Sequence, residues 1–245
     1  MDPAYYVAAG SLKARAYQLD VVANNLANTQ TVGFKTERCF FTVFNKAKDA
    51  GRGLPLSPFV NDGTVYLQKD MDFTQAPVKL TQRDLDFAIE GNAFFSIQTP
   101  QGPRLTRDGR FTLGASGRLE TLDGMAVLGK NGPIMLDTRG AEPKFHSDGT
   151  IYQGNNFVDQ LDLKAYSDTS PLTQLGGGRF DPSDAREAPV RGRIIQGYLE
   201  QSGVDMPTAM VEMIRLNRLF EMSQKIASTL TNDLDAKSLN IGNTQ

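Results

Sequence analysis

The chain has one histidine and one cysteine, which limits the nucleophilic chemistry open to it. His146 stands beside Ser147 and Asp148, so the three residue types of a hydrolytic triad are consecutive in a turn-like segment. Triad residues normally come together from separate parts of a fold, and neighbours in one turn do not make a triad. Cys39 precedes two phenylalanines and has no histidine near it in the sequence. We interpret it as a small buried thiol rather than a nucleophile.

Two pairs of aspartates have the spacing that places both carboxylates on one face of a strand, namely Asp70 with Asp72 and Asp84 with Asp86. Paired carboxylates suit general acid–base catalysis, as in glycoside hydrolysis. Solvated strand faces carry the same pattern, and the absence of tryptophan removes a common platform for stacking sugars. The sequence also lacks the clustered ligands of a metal site and the glycine motif of a phosphate loop. We therefore expect no catalytic site, no metal and no cofactor.

The composition of the chain also argues against two classes of partner, nucleic acids and membranes. Lys plus Arg number 26 against 28 Asp plus Glu, a net charge of −2, so no basic field is available for a nucleic acid. The apolar runs are short and interrupted, which argues against membrane insertion. The segment Met1-Asp2-Pro3 lacks the positive and apolar regions of a cleaved signal peptide. We expect this chain of 245 residues to form one or two domains. We expect it neither to bind nucleic acid nor to insert into a membrane.

Apolar residues recur every seven positions at both ends of the chain, which is typical of helices that pack along a seam. Between residues 4 and 35 they are Ala9, Leu12, Ala16, Leu19, Ala23 and Leu26. Near the other end they are Met206, Ala209, Met213, Leu216, Phe220, Ser223, Ala227, Leu230 and Leu234. We predict that both ends are coiled-coil helices which complete their burial against other subunits, because a two-helix seam offsets only part of the ordering cost. The alternative is a hairpin of helices that closes within one domain.

Local signals set the ends of these helices. Asn24, Asn25 and Asn28 are poor helix formers and Gly33 can take a positive φ, so we expect the first helix to end near Asn28. The last helix should begin near Asp205, whose carboxylate can cap exposed N–H groups.

Turn signals every seven to nine residues predict an all-β region between the helices. They are Gln101-Gly102, Asp108-Gly109, Ser116-Gly117, Asp123-Gly124, Asn131-Gly132, Arg139-Gly140 and Asp148-Gly149. In the strands between them, such as the one holding Phe95 and Ile97, we expect one buried face, and we expect a last strand over 194–199. The predicted fold is mixed α and β, with N- and C-terminal helices in a coiled coil around a central antiparallel sandwich or barrel-like domain. We expect a helical coiled-coil region over 1–36 and 203–245, a linker and extended segment over 37–80 and a β domain over 81–202.

Several segments carry a resemblance to a known family. The run Asn24-Asn25-Leu26-Ala27-Asn28-Thr29-Gln30-Thr31-Val32-Gly33-Phe34-Lys35 resembles the N-terminal signature of bacterial flagellar rod and hook proteins. The similarity continues over residues 85–95, 106–111, 127–129, 197–204 and 210–230. Chain length resembles the rod proteins, and the ending 230–235 is more similar to the F-type proximal rod protein than to the G-type distal one. Ala93 and Gly203 depart from the family pattern, which commonly has Gly and Asn there.

The resemblance implies a structural subunit without catalytic activity. Such a subunit is exported unfolded through the flagellar type III apparatus, without a cleaved signal peptide, and assembles in the periplasm into a helical tube. Its partners are copies of itself, other rod subunits and the export apparatus. Its terminal helices form the inner layer and its β region the outer layer. A competing hypothesis, based on the aspartate pairs, is a wall-binding module or hydrolase carried on a coiled-coil stalk.

Overall fold

The computed structural model describes residues 3–43, 65–167, 169, 172–182 and 185–242. Its two helices are α1 (Pro3–Ala27) and α2 (Met206–Gly242). The end of α1 agrees with the prediction, and Gly33 turns the chain beyond it with a φ of 68°. The start of α2 is also confirmed, because the Asp205 carboxylate accepts a hydrogen bond from the backbone N–H of Thr208 at 3.3 Å and another from its hydroxyl.

Short strands fill the described residues between the helices. The first ten are β1 (Thr36–Val43), β2 (Val65–Asp72), β3 (Val78–Leu80), β4 (Phe87–Gly91), β5 (Ala93–Thr99), β6 (Gly102–Thr106), β7 (Phe111–Leu113), β8 (Leu119–Thr121), β9 (Ala126–Gly129) and β10 (Gly132–Pro133). The others are β11 (Pro143–Phe145), β12 (Thr150–Gln153), β13 (Asn156–Gln160), β14 (Leu163–Tyr166), β15 (Thr173–Gln174), β16 (Arg179–Asp181), β17 (Glu187–Ala188), β18 (Gly192–Gln196) and β19 (Tyr198–Glu200).

The largest sheet in the described part of the chain has ten strands, seven of which follow one another in the order β15-β16-β6-β5-β9-β8-β7. Strand β10 pairs with β9, β14 pairs with β5, and β17 pairs with β14. Smaller sheets are β11-β12-β13, β1-β2, β18-β4 and β19-β3. The pairings in the large sheet and in the β11-β12-β13 sheet are antiparallel. The prediction of a central antiparallel β region between two terminal helices is confirmed.

One predicted turn and one predicted strand differ from the prediction. The Asp108-Gly109 signal does not join neighbouring strands, because β6 pairs with β5 and β16 whereas β7 pairs with β8. Gly109 is instead required by a close approach, since an added Cβ would lie 1.8 Å from the carbonyl oxygen of Phe87. The single strand predicted over 194–199 is interrupted at Gly197, which has a φ of 78°. As a result β18 pairs with β4 and β19 with β3.

The core of the β region lies on both sides of β5. Phe95 and Ile97 belong to one buried cluster, and Phe94 belongs to a second cluster that also contains Phe180. The expectation of one buried face was therefore wrong for this strand. Ser96, which lies between Phe95 and Ile97, is also only 4% exposed. A strand in the middle of the sheet is covered on both faces, so its sequence does not alternate as that of a half-exposed strand does.

The chain divides into two compact units. The first contains α1, α2, most of β1 and most of β2, and within it the two helices contact each other. The second contains residues 28–36 together with residues 71–204. The segment that follows α1 thus belongs to the β unit.

Candidate functional site

The predicted seam of α2 lies on its more protected side. Leu216 is 4% exposed and thus fully buried. Half-buried seam positions are Ala209, Met213, Phe220, Ser223 and Ala227. Met206, at the beginning of the helix, is exposed. The side chain of Leu230 lies outside the described residues. The seven-residue pattern therefore follows the face of α2 that is least accessible to solvent.

The seam of α1 is less completely covered. Leu12, Ala16, Leu19 and Leu26 are half-buried, whereas Ala23 is exposed. Among the residues of this helix whose side chains are described, 10–27, the buried ones are Val21 and Asn25. The side chain of Ala9 is outside the described residues. A single subunit thus leaves part of the N-terminal stripe accessible to solvent.

A second set of apolar side chains lies along the other side of α2, among exposed charged residues such as Arg218 and Lys225. We call it the outer face, and its members are 49% to 67% exposed: Met210, Val211, Ile214, Met222 and Ile226. Met222 and Ile226 line a shallow groove of about 370 Å³ together with Lys225 and Thr229. Isolated exposed apolar residues are ordinary on a protein surface, but a group of five large ones on one helix is typical of an interaction surface.

Two asparagines of the signature form hydrogen bonds at the C-terminal end of α1. Asn25 exchanges two hydrogen bonds with the backbone of Glu37, donating to its carbonyl at 2.8 Å and accepting from its N–H at 2.9 Å. This pairing ties the last turn of α1 to β1. The carbonyl oxygen of Asn28 accepts a hydrogen bond from the backbone N–H of Thr31 at 3.1 Å, and its side-chain oxygen accepts another from the Thr31 hydroxyl at 3.0 Å.

The end of the signature inserts into the β unit. The Gly33 N–H donates to the carbonyl of Glu200 at 2.9 Å, and the Gly203 N–H donates to the carbonyl of Phe34 at 2.9 Å. Phe34 is 2% exposed. Gly33 lies so close to Arg107 that an added Cβ would be 2.6 Å from a backbone carbon of that residue. The position therefore requires glycine for its positive φ and also for the space.

Three buried charges hold this insertion in place, and we call them the anchor cluster: Lys35, Arg107 and Glu200. The Lys35 ammonium lies 2.7 Å from one Glu200 carboxylate oxygen and donates to the carbonyl of Thr74 at 2.8 Å. The Arg107 guanidinium lies 3.3 Å from the other Glu200 oxygen and donates to the carbonyl of Gly91 at 2.7 Å. All three charged side chains are 1% to 2% exposed.

The anchor cluster contains two cations and one anion. Burial lowers the pKa of Lys35 and that of Arg107, and the charge of Glu200 opposes both shifts. The guanidinium also lies 4.8 Å from the centre of the Phe94 ring, a cation–π contact. Because a buried cation without a partner is costly, Glu200 is the residue on which the other two depend.

Sequence reasoning did not single out the anchor cluster, although each member lies in a segment that carries the family resemblance. Lys35 ends the signature, Arg107 lies in 106–111 and Glu200 lies in 197–204. The usable signal was the position of all three charges inside these segments.

The residues considered for catalysis remain in the separate local segments where the sequence places them. Asp84 is exposed, whereas Asp86 is 1% exposed and lies 3.7 Å from Arg83, so they form no carboxylate pair. His146 and Asp148 remain in their surface turn, and Cys39 is half-buried. Across the described ranges, no group of three or more potential ligands is arranged to hold a metal. Nor does a helix in those ranges have the length and apolar character needed to cross a membrane.

Three family descriptions match parts of this chain. Residues 6–35 match the family described as "Flagella basal body rod protein". Residues 88–153 match "Flagellar hook protein FlgE/F/G D1 domain", and residues 195–241 match "Flagellar basal body rod FlgEFG protein C-terminal". The matched ranges contain all three members of the anchor cluster and most of both helices.

Curated relatives are similar over nearly the whole length. The flagellar basal-body rod protein FlgF of Mesorhizobium japonicum is 33% identical over 226 residues, which is 90% of each chain. FlgF of Caulobacter vibrioides is 35% identical over 231 residues, 92% of each chain. FlgG of Bacillus subtilis is 30% identical over 250 residues, 91% of this chain and 93% of that one. With signature, β region and C-terminal helix all matched, this chain belongs to the family of flagellar basal-body rod proteins.

Proposed function

We propose that this rod protein is an F-type proximal subunit that polymerises through its terminal helices and transmits torque as part of a stiff shaft. In this proposal α1 and α2 form a coiled coil along their seams, and the outer face of α2 packs against neighbouring subunits. The β unit forms the outer layer. No catalytic step is required, because stiffness comes from packed seams that repeat between subunits.

The observation that carries the proposal is the outer face of α2. Large apolar side chains there are about half exposed although the opposite side of the same helix is protected. Burying the part of each one that is still exposed would contribute roughly 0.7 to 1.5 kcal/mol, and covering several together favours assembly. A patch on one subunit that packs onto a different patch of the next gives an open filament rather than a closed ring.

The coiled coil is supported by the seven-residue spacing and by the low exposure of the α2 seam. The F-type assignment is supported by the ending at residues 230–235 and by the FlgF relatives at 33% and 35% identity. Membership of the rod family supports the further proposal that the chain is exported through the flagellar type III apparatus and assembles in the periplasm. The partners would be copies of this chain, other rod subunits and the export apparatus.

A charge-insertion series on α2 tests the proposal. We expect Ile214→Asp and Ile226→Asp to leave the purified subunit folded, because both side chains are exposed, yet to abolish incorporation into rods and motility. An unpaired charge buried at a subunit contact costs about 3 to 5 kcal/mol. The seam variants Met213→Asp and Leu19→Asp should also abolish assembly while the β unit remains folded. Rod incorporation is measured by isolating basal bodies, and motility by swimming assays.

Gln224→Asp is the matched control. It adds the same charge at an exposed polar position of α2 and should leave assembly intact. Normal motility in both isoleucine variants would contradict the role of the outer face, and normal motility in both seam variants would contradict the coiled coil.

A further inference from the structure

The three-stranded sheet β11-β12-β13 carries a row of aromatic side chains on one face. Tyr152 lies opposite Phe157 in the register of β12 and β13, and their ring centres are 5.9 Å apart. The ring of His146, at the end of β11, is 5.3 Å from that of Tyr152. Neighbouring rings stand nearly perpendicular, at 75° and 82°. We call these three residues the aromatic row.

The aromatic row is not needed to hold the sheet in place. The sheet is attached through its other face, where Ile151 is fully buried and Phe145 packs on Phe87 with ring centres 4.5 Å apart. Phe157 is 56% exposed, and His146 is exposed as well. Alternate residues of a strand point to opposite faces. One set of side chains therefore packs into the core, and the other set forms the aromatic row.

A polar groove of about 420 Å³ adjoins the aromatic row. Its walls are His146, Ser147, Asp148, Thr150 and Tyr152, and it is open to solvent. Asp148 accepts hydrogen bonds from the N–H and the hydroxyl of Thr150, at 3.0 and 2.8 Å, and these lower the pKa of its carboxyl group. The carboxylate keeps further acceptor positions, and the serine hydroxyl can both donate and accept.

Aromatic surface beside a groove lined with hydroxyl, carboxylate and imidazole groups suits a ligand that is apolar on its faces and polar on its edges. A pyranose ring has this character, because its C–H groups lie on the faces and its hydroxyl groups on the rim. A nucleic acid does not fit, since the groove holds a carboxylate and the chain has a net charge of −2. We propose that the aromatic row and its groove bind a glycan strand, with Tyr152 and Phe157 stacking on the sugar rings and Ser147 and Asp148 bonding to hydroxyl groups.

Isothermal titration of the full chain with the hexamer of N-acetylglucosamine tests this proposal. We expect saturable binding with a dissociation constant of about 1 mM or tighter. Phe157→Ala removes one stacking ring and should weaken binding roughly tenfold. Ser147→Ala should weaken it less, because water can replace one exposed hydrogen bond. A parallel titration with cellohexaose shows whether the acetamido groups contribute or the pyranose rings suffice.

Leu122→Ala is the control variant. Leu122 is 57% exposed on the same unit but outside the aromatic row, so its removal should leave glycan binding unchanged. Circular dichroism establishes that each variant is folded. Absence of binding to both hexamers would overturn the proposal, as would equal binding by wild type and folded Phe157→Ala. Self-association that is lost in Phe157→Ala without any glycan binding would identify the row as a contact between copies instead.

Discussion

At the scale of single residues, Glu200 is the residue whose substitution we expect to destabilise the β unit most. It is the one carboxylate of the anchor cluster, and its side chain also accepts a hydrogen bond from the backbone N–H of Ala76 at 2.9 Å. Replacing it by an amide would leave Lys35 and Arg107 as buried cations without a counter-ion. A single substitution thus tests whether the signature is held to the β unit by charge.

We expect Glu200→Gln to lower the free energy of unfolding by about 3 to 5 kcal/mol, the usual cost of breaking a buried ion pair. Lys35→Met should cost less, because it leaves Arg107 and Glu200 as a balanced pair. Urea denaturation followed by circular dichroism measures both.

The control for this prediction is Glu90→Gln, which makes the same change in an exposed pair with Arg193 at 2.7 Å. Such a pair contributes less than about 1 kcal/mol. If Glu200→Gln were as mild as Glu90→Gln, the anchor cluster would not depend on its carboxylate.

Cys39 gives a second prediction at this scale. Burial raises the pKa of its thiol, while the charge of Lys69 acts in the opposite direction. The thiolate is the reactive form, so we expect modification by a disulfide reagent at pH 7.5 to be about tenfold slower in the folded chain than in urea. The colour change of the reagent gives both rates. Equal rates would show that the thiol is neither shielded from the reagent nor raised in pKa, contrary to a purely structural role.

At the scale of elements, the turn after α1 depends on one glycine. Gly33→Ala would place a Cβ against the backbone of Arg107 and would also force a non-glycine residue to a φ of 68°. The positive φ alone costs about 1 to 2 kcal/mol. The clash is with backbone, which cannot move aside as a flexible side chain can, so we expect a total loss of about 3 kcal/mol or more, measured by urea denaturation.

Gly124→Ala separates the effect of backbone strain from the effect of the steric clash. Gly124 has a similar φ of 77° but no atom within 4 Å of an added Cβ, so this variant carries only the backbone strain. Comparable losses in the two variants would mean that the contact with Arg107 relaxes, and that the turn is not locked against the β unit.

At the scale of the whole molecule, the two units should differ in local stability. The β unit has two buried clusters, whereas α2 leaves its outer face exposed. We expect amides of α2 between 210 and 229 to exchange at least about tenfold faster than those of β5 and β9 in the purified subunit, and to become protected in assembled rods. Hydrogen exchange with mass spectrometry measures both states. Equal protection in a verified monomer would mean that the helices close on each other and that assembly uses another surface.

Local patterns in the sequence were sufficient for the helices, their boundaries and the family. Seven-residue spacing and the Asp205 cap act over a few residues, and such short-range signals are readable in one segment. The same holds for the presence of an antiparallel β region, because its turn glycines recur along the chain. The assignment of buried faces was less successful: Phe94 and Phe95 are both buried because β5 has sheet neighbours on both edges and packed layers on both sides.

The anchor cluster was decided by tertiary structure alone. Lys35 and Glu200 are 165 residues apart in sequence and 2.7 Å apart in space. The spacing of residues along the chain carries no information about such a pair, because the pairings of β3 with β19 and of β4 with β18 determine which distant segments meet. The sequence by itself thus determined that the protein has terminal helices around a β region, whereas only the folded chain determined where the end of the signature docks. The physical reason is that helix periodicity is a property of neighbouring residues, while the burial of a charge depends on every segment packed around it.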